Sequence, residues 1–169
     1  MMSAIRVAAW LIGAGVAGSL TAAVAGQPLL RYLPPSVGLG EFYGVDINSG
    51  LALGGFDPTL YLLEGQPGLG EPAHELIRDG IAWRFRTAAN KAAFLRDPDT
   101  FLPRLGAYDA EGVGRGLLVR ADPLIWVRDA DRIYLFRNTE ARTRFGHQPR
   151  AAERAEERWP GLQTGLVRD

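Results

Sequence analysis

From His74 to Arg86 the chain reads His-Glu-Leu-Ile-Arg, then Asp79-Gly80, then Ile-Ala-Trp-Arg-Phe-Arg. An Asp-Gly pair between two alternating runs specifies a two-residue reverse turn, because both central positions need a positive φ that these residues tolerate. The spacing therefore predicts a β-hairpin, with Ile81, Trp83 and Phe85 on one face and Ala82, Arg84 and Arg86 on the other. A sheet with one apolar face has to be covered by another element. The cover follows at once: Thr87 is an N-cap type, AANKAAFLRDP reads as a helix with Ala88, Ala92, Phe94 and Leu95 inward, and Pro98 ends it. A short turn after it places Phe101 and Leu102 under the hairpin.

On the N-terminal side, Asp57 before Pro58 reads as the cap of a single helical turn through Tyr61. On the C-terminal side, a glycine-rich stretch from Gly106 to Gly116 carries Asp109 and Glu111, and Gly112, Gly114 and Gly116 read as tight backbone turns. A second hairpin is expected from Trp126-Val127-Arg128 and Ile133-Tyr134-Leu135-Phe136, with a slightly longer loop between them. Asn138-Thr139 then opens a charged helical segment to about Arg158, interrupted at Gly146 and Pro149, and Trp159-Pro160-Gly161-Leu162 closes the domain. Glu and Arg at helical spacing between Arg150 and Arg158 describe a solvated face. No stretch of letters repeats another. The sum is an α+β fold: a small single domain of two β-hairpins with packed helices.

Before this domain stands a different kind of segment. Arg6 precedes Val7 to Gly26, a stretch without charge in which Ala23-Val24-Ala25 supplies a small-residue cleavage pattern, as in a secretory signal peptide. The same stretch is long enough, at roughly 1.5 Å per residue, to cross a bilayer core as a retained helix. Residues 1–25 thus read as a signal peptide or membrane anchor, 26–50 as a Gly/Pro-rich linker, 51–162 as the folded domain and 163–169 as a C-terminal tail. Cleavage implies an exported, periplasmic protein; retention of residues 7–26 implies an inner-membrane anchor with the domain in the periplasm.

The inventory of side chains narrows the chemistry. With no cysteine, the chain has no disulfide, thiolate zinc site, iron–sulfur cluster or cysteine nucleophile. Nineteen basic residues balance nineteen acidic ones, so the clustered positive charge that nucleic-acid binding needs is missing. G-x-S-x-G is absent, which removes a serine-hydrolase elbow, and the stretch from Gly106 to Gly116 has neither the G-x-G-x-x-G spacing nor a following Gly-Lys-Ser/Thr, so it resembles neither a dinucleotide fingerprint nor a phosphate loop. What remains is oxygen and imidazole. Asp109 and Glu111, two apart and on one face if extended, could form a hard or borderline divalent-cation site with His74. They serve equally as turn carboxylates. His147 lies in the Gly146-Pro149 break without an i, i+4 partner, Tyr61 and Tyr108 read as half-buried aromatics with a bonded hydroxyl, and Arg84, Arg86 and Arg115 are candidates for an anion pocket.

The order of these pieces resembles the exported YHS-domain proteins of bacteria, from about Val45 to Leu162. LALGGFDPTLYLLEGQPGLG is similar to the family's opening G-Y-D-P-V-x-Y segment, and IAWRFRTAANKAAFLRDPDTFLP to its strand, helix and x-D-P-x-x-F-x-P pattern. GAYDAEGVGRG is similar to its Gly-Gly-Tyr-Cys-Ala turn, ADPLIWVRDADRIYLFRN to its second hairpin and ERWPGL to its terminal Trp-Pro. The resemblance implies a small metal-binding-type module. Yet the family's Cys is Asp109 here, Phe56 replaces its usual Tyr, and Tyr-His-Ser do not occur together, so the soft ligand for copper(I) or zinc is gone. The implied function is a non-catalytic, exported binding or accessory module of the bacterial envelope with an altered or lost metal site and an envelope protein as partner. Two alternatives stand beside it: a divalent-metal protein using Asp109, Glu111 and His74, and a membrane-anchored subunit docking onto a larger complex.

Overall fold

In the computed structural model the described residues are Tyr43, Val45 and residues 49–166. The leader expected at 1–25 and most of the linker expected at 26–50 lie outside them. Among the described residues no helix is long and apolar enough to cross a membrane.

The first hairpin forms where the alternation placed it. Strand β1 (Glu71–Arg78) pairs antiparallel with β2 (Ile81–Phe85), Leu76 opposite Trp83 and Arg78 opposite Ile81. Asp79 and Gly80 turn the chain at φ of 54° and 75°. Ile81, Trp83 and Phe85 are buried, as the pattern required. Helix α1 (Leu60–Leu63) precedes the hairpin; α2 (Ala88–Arg96) and α3 (Pro98–Phe101) follow it. Thr87 Oγ1 caps α2 by accepting from the Asn90 N–H at 3.1 Å. The inner stripe of α2 is narrower than predicted: Phe94 is buried, while Ala88, Ala92 and Leu95 are exposed. One ring wedged against Trp83 and Phe85, at centroid distances of 5.5 and 5.1 Å, docks the helix. Alanine buries too little area to set its orientation.

The second hairpin, β3 (Asp122–Asp129) with β4 (Arg132–Phe136), has a two-residue turn at Ala130-Asp131, tighter than the loop expected. Helix α4 (Ala110–Gly114) forms within the glycine-rich stretch, and of the three glycines expected to permit tight turns, Gly112, Gly114 and Gly116, only Gly116 has a positive φ. Helix α5 (Thr139–His147) is capped by Asn138 Oδ1, which accepts from the Ala141 N–H at 2.8 Å. The last helix, α6 (Ala151–Leu166), runs through Pro160 instead of ending before it, because Trp159 and Leu162 pack on the second core.

The backbone shows an internal repeat that is only fragmentary in the letters, as in Leu53 to Asp57 and Leu105 to Asp109. Leu53, Gly54 and Gly55 are left-handed at φ of 53°, 60° and 88°, and Leu105, Gly106 and Ala107 at 58°, 59° and 62°. Each triplet leads to an aromatic residue and a buried aspartate, Phe56-Asp57 and Tyr108-Asp109. The Asp57 N–H donates to Gly68 O at 2.8 Å, the Asp109 N–H to Val119 O at 2.9 Å. Each half then runs through a hairpin whose long strand carries an irregularity near its start, between Glu71 and Glu75 or between Asp122 and Trp126. The turn residues Asp79 and Ala130 share a positive φ, and both hairpins end on Phe-Arg before a capped helix with one buried Phe, Phe94 or Phe145. The two halves differ in many side chains and share this hydrogen bonding and handedness.

Strand β4 joins the halves. Ile133 and Leu135 belong to the core built on β2, α1 and α2, whereas Tyr134 and Phe136 belong to the core built on α4, α5 and α6. A pleated strand points successive side chains to opposite faces, so one strand serves both cores. Tyr61 adds a polar tie, its hydroxyl donating to Pro123 O at 2.9 Å.

Helix α6 is fastened by Glu156. Arg104 donates to it twice, Nε to Oε1 and Nη2 to Oε2, each at 2.7 Å, and the Tyr134 hydroxyl donates to Oε1 at 2.9 Å. Burial pushes the Glu156 carboxyl up, but the bonds from Arg104 and Tyr134 and the charges of Arg104 and Arg132 outweigh it, so the pKa is lowered. The unfolded chain therefore binds this proton more readily. The stability Glu156 contributes is present above the ordinary glutamate range and is lost as pH falls through its lower folded value. Thermal melts from pH 6 down to 3 should show a smaller loss of stability for Glu156→Gln than for the unmodified chain; equal slopes would remove this role.

Candidate functional site

Asp57 and Asp109 occupy equivalent sockets. Asp57 is fully buried, and donors meet both of its oxygens: Oδ1 accepts from Thr59 N–H at 2.8 Å and Thr59 Oγ1 at 2.7 Å. Oδ2 accepts from Arg86 N–H at 2.7 Å and Asn90 Nδ2 at 2.8 Å. The expected helix cap is thus an anchor of wider reach, binding its own turn, the end of β2 and the first turn of α2, with Thr59 as the formal cap of α1.

In the second half Glu111 stands where Thr59 stood and Ala141 where Asn90 stood. This socket has two side-chain donors fewer and a second carboxylate more. Asp109, also fully buried, meets no donor at full hydrogen-bond geometry on either oxygen, and neither does Glu111 Oε2. The backbone N–H groups of Arg137 and Gly112 face Asp109, and the Arg137 Nε lies 3.4 Å from Oδ2. Glu111 is 4% exposed at its side chain and is ringed by Arg144 Nε at 3.3 Å, Arg115 Nη1 at 3.5 Å and Arg137 Nη2 at 3.9 Å. Burial pushes the Asp109 carboxyl up; Arg137 pulls it down, Glu111 adds to the rise, and the net is upward. Its contribution to stability versus pH therefore runs opposite to that of Glu156.

Of the residues singled out in the sequence, Asp109 and Glu111 are brought together, though through a helical turn and not along an extended face. His74 sits half-buried in the irregular part of β1, and among the described residues no three His, Asp or Glu side chains converge as a ligand set. His147 ends α5 in solvent. Arg84, Arg86 and Arg115 do not form a common pocket; each pairs with a separate carboxylate, Glu75 at 3.0 Å, Glu64 at 2.7 Å and Glu111 at 3.5 Å. Tyr61 is wholly buried instead of half-buried.

Sequence reasoning missed Arg137 and Arg144. A signal for Arg137 was present: Phe85-Arg86-Thr87 and Phe136-Arg137-Asn138 are the same strand-end, arginine and cap, paired with Phe56-Asp57 and Tyr108-Asp109. Arg144 had none, since a lone Arg on a charged helix looks like solvated surface. The cluster counts three guanidiniums against two carboxylates. A cation entering it would be repelled by each arginine's like charge, by about 4 kcal/mol per unit-charge pair at 4 Å and an effective dielectric of 20. No family model matches the chain, and neither a curated protein nor a solved structure matches it.

Proposed function

We propose that the chain is an exported, non-catalytic binding or accessory module of the bacterial envelope, with a YHS-like fold whose metal site has been converted into an internal ion-pair cluster. The observation that carries this reading is the arginine ring around Asp109 and Glu111. Asp109 stands where the resemblance places a cysteine, and its charge is answered by Arg137 at 3.4 Å, with Arg144 and Arg115 answering Glu111. Carboxylates already matched by fixed guanidiniums have little attraction left for a divalent ion. Nor does the cluster offer a nucleophile with a neighbouring base, the arrangement covalent catalysis needs.

The purified protein should carry no stoichiometric copper or zinc by elemental analysis and give no heat on titration with either ion. Asp109→Ala should leave the metal content unchanged. A tightly bound soft metal, or a bound divalent ion lost on Asp109→Ala, would overturn the reading in favour of a metal protein.

A further inference from the structure

Tyr43 lies where the two repeated halves meet. Its half-buried ring stands edge-on to Trp83 of the first half, centroids 5.2 Å apart, and the Val45 carbonyl accepts a hydrogen bond from Arg120 Nη2 of the second. Three clefts share this ring as a wall. One of about 230 Å³ extends toward Arg104, Gly106 and Trp159; one of about 200 Å³ toward Leu53, Phe56 and Leu135; a third of about 60 Å³ toward Arg78 and Asp99. The two left-handed triplets line the larger pair, Leu105 and Gly106 in the first, Leu53, Gly54 and Ala107 in the second. Three of these are non-glycine residues held at positive φ, a conformation costing on the order of 1 kcal/mol or more each.

A core aromatic is sealed from solvent, as Tyr61 is at 0% exposure. Tyr43 instead borders open space on three sides. Each cleft alone is smaller than the roughly 300 Å³ at which ligand pockets begin, but joined by removal of the ring they enter that range. The two contacts define a chemistry: an aromatic edge for a ring, and a guanidinium for a main-chain carbonyl two residues further on. An aromatic side chain with a main-chain carbonyl two residues further on is the pair a polypeptide presents, and Tyr43 offers it from a turn.

We propose that this trough is a recognition groove for a peptide segment bearing an aromatic side chain two residues before a backbone carbonyl, and that Tyr43 and Val45 occupy it in cis. The inference rests on the reading of the chain as a binding module and gives that module its ligand class. A tethered occupant acts at an effective concentration on the order of millimolar, so a partner segment binds only weakly until the cis ring is withdrawn.

The test is a titration of the synthetic peptide covering residues 38–47, and of its Tyr→Ala version, into the full chain and into Tyr43→Ala, followed by calorimetry and tryptophan fluorescence. The tyrosine peptide should bind Tyr43→Ala at least about tenfold more tightly than the unmodified chain. The Tyr→Ala peptide should not bind, and Arg120→Ala in the same background should weaken binding several-fold. Tyr43→Leu, which keeps an apolar cover over the core, is the second host should Tyr43→Ala fail to fold; its gain should be smaller and of the same sign. No binding to a folded host, or binding indifferent to the tyrosine, overturns the proposal. Dimers of the unmodified chain that dissociate on Tyr43→Ala would assign the arm to a second copy and overturn the cis occupancy. A metal found by elemental analysis would sink the accessory-module reading without touching this titration, and a failed titration on metal-free, folded protein sinks the groove alone.

Discussion

Replacing Asp57 by Ala should cost the domain about 3–5 kcal/mol, a large part of the 5–15 kcal/mol that holds a typical domain together. The carboxylate is fully buried and accepts four hydrogen bonds, from Thr59 N–H and Oγ1, Arg86 N–H and Asn90 Nδ2. Alanine would strand those donors in a space closed to water, and unpaired buried donors are among the few causes of losses this large. Asp57→Asn keeps the shape but sets an amide against donors, so it should recover only part of the loss. The same Asp→Asn change at Asp109 should shift stability by no more than about 1 kcal/mol, because the bonds it breaks there are already imperfect and it removes the cost of burying a charge. Urea unfolding of the three variants checks this; a similar loss at Asp57→Asn and Asp109→Asn would mean that the sockets are alike after all.

The second large effect is expected at Phe94. Phe94→Ala should destabilise by about 3–5 kcal/mol, the usual range for deleting a buried ring, while Leu95→Ala beside it should stay within about 0.5 kcal/mol. Phe94 is wholly enclosed between Trp83 and Phe85, whereas Leu95 is 53% exposed. It is also the buried residue through which α2 docks, so its loss should release the helix as well as open a cavity. Denaturant midpoints and the helical circular dichroism signal measure the two parts separately, and equal costs at Phe94 and Leu95 would refute the single-ring docking.

The hairpins were legible because their information is local. Asp79-Gly80 and the alternation Ile81, Trp83, Phe85 specify turn, register and buried face without help from distant residues. The caps Thr87 and Asn138 were legible for the same reason. The stripe on α2 was misread because an apolar letter is needed for burial but does not ensure it, and only the packing partner decides that Phe94 goes in while Ala92 stays out. The repeat was missed because the letters keep it only in fragments, Leu53-Gly54 with Leu105-Gly106, Asp57 with Asp109 and Phe85-Arg86 with Phe136-Arg137, while elsewhere only backbone geometry is shared, as by Gly55 and Ala107 or by Asp79 and Ala130. Asp109 and Glu111 were legible as a pair. Their partners were not, since Arg137 reaches them from the end of β4 and Arg144 from α5, and nothing in a linear text says which arginine will face which acid.

The position of β4 bears on how the molecule comes apart. Repeated halves in a chain often behave as semi-independent units, each melting on its own terms. Here Ile133 and Leu135 fill one core while Tyr134 and Phe136, their immediate neighbours, fill the other. Neither half can open while the other stays shut, because the strand that must leave one core is the wall of the other. The two halves are therefore expected to unfold as one cooperative unit, and either half expressed alone is expected not to fold.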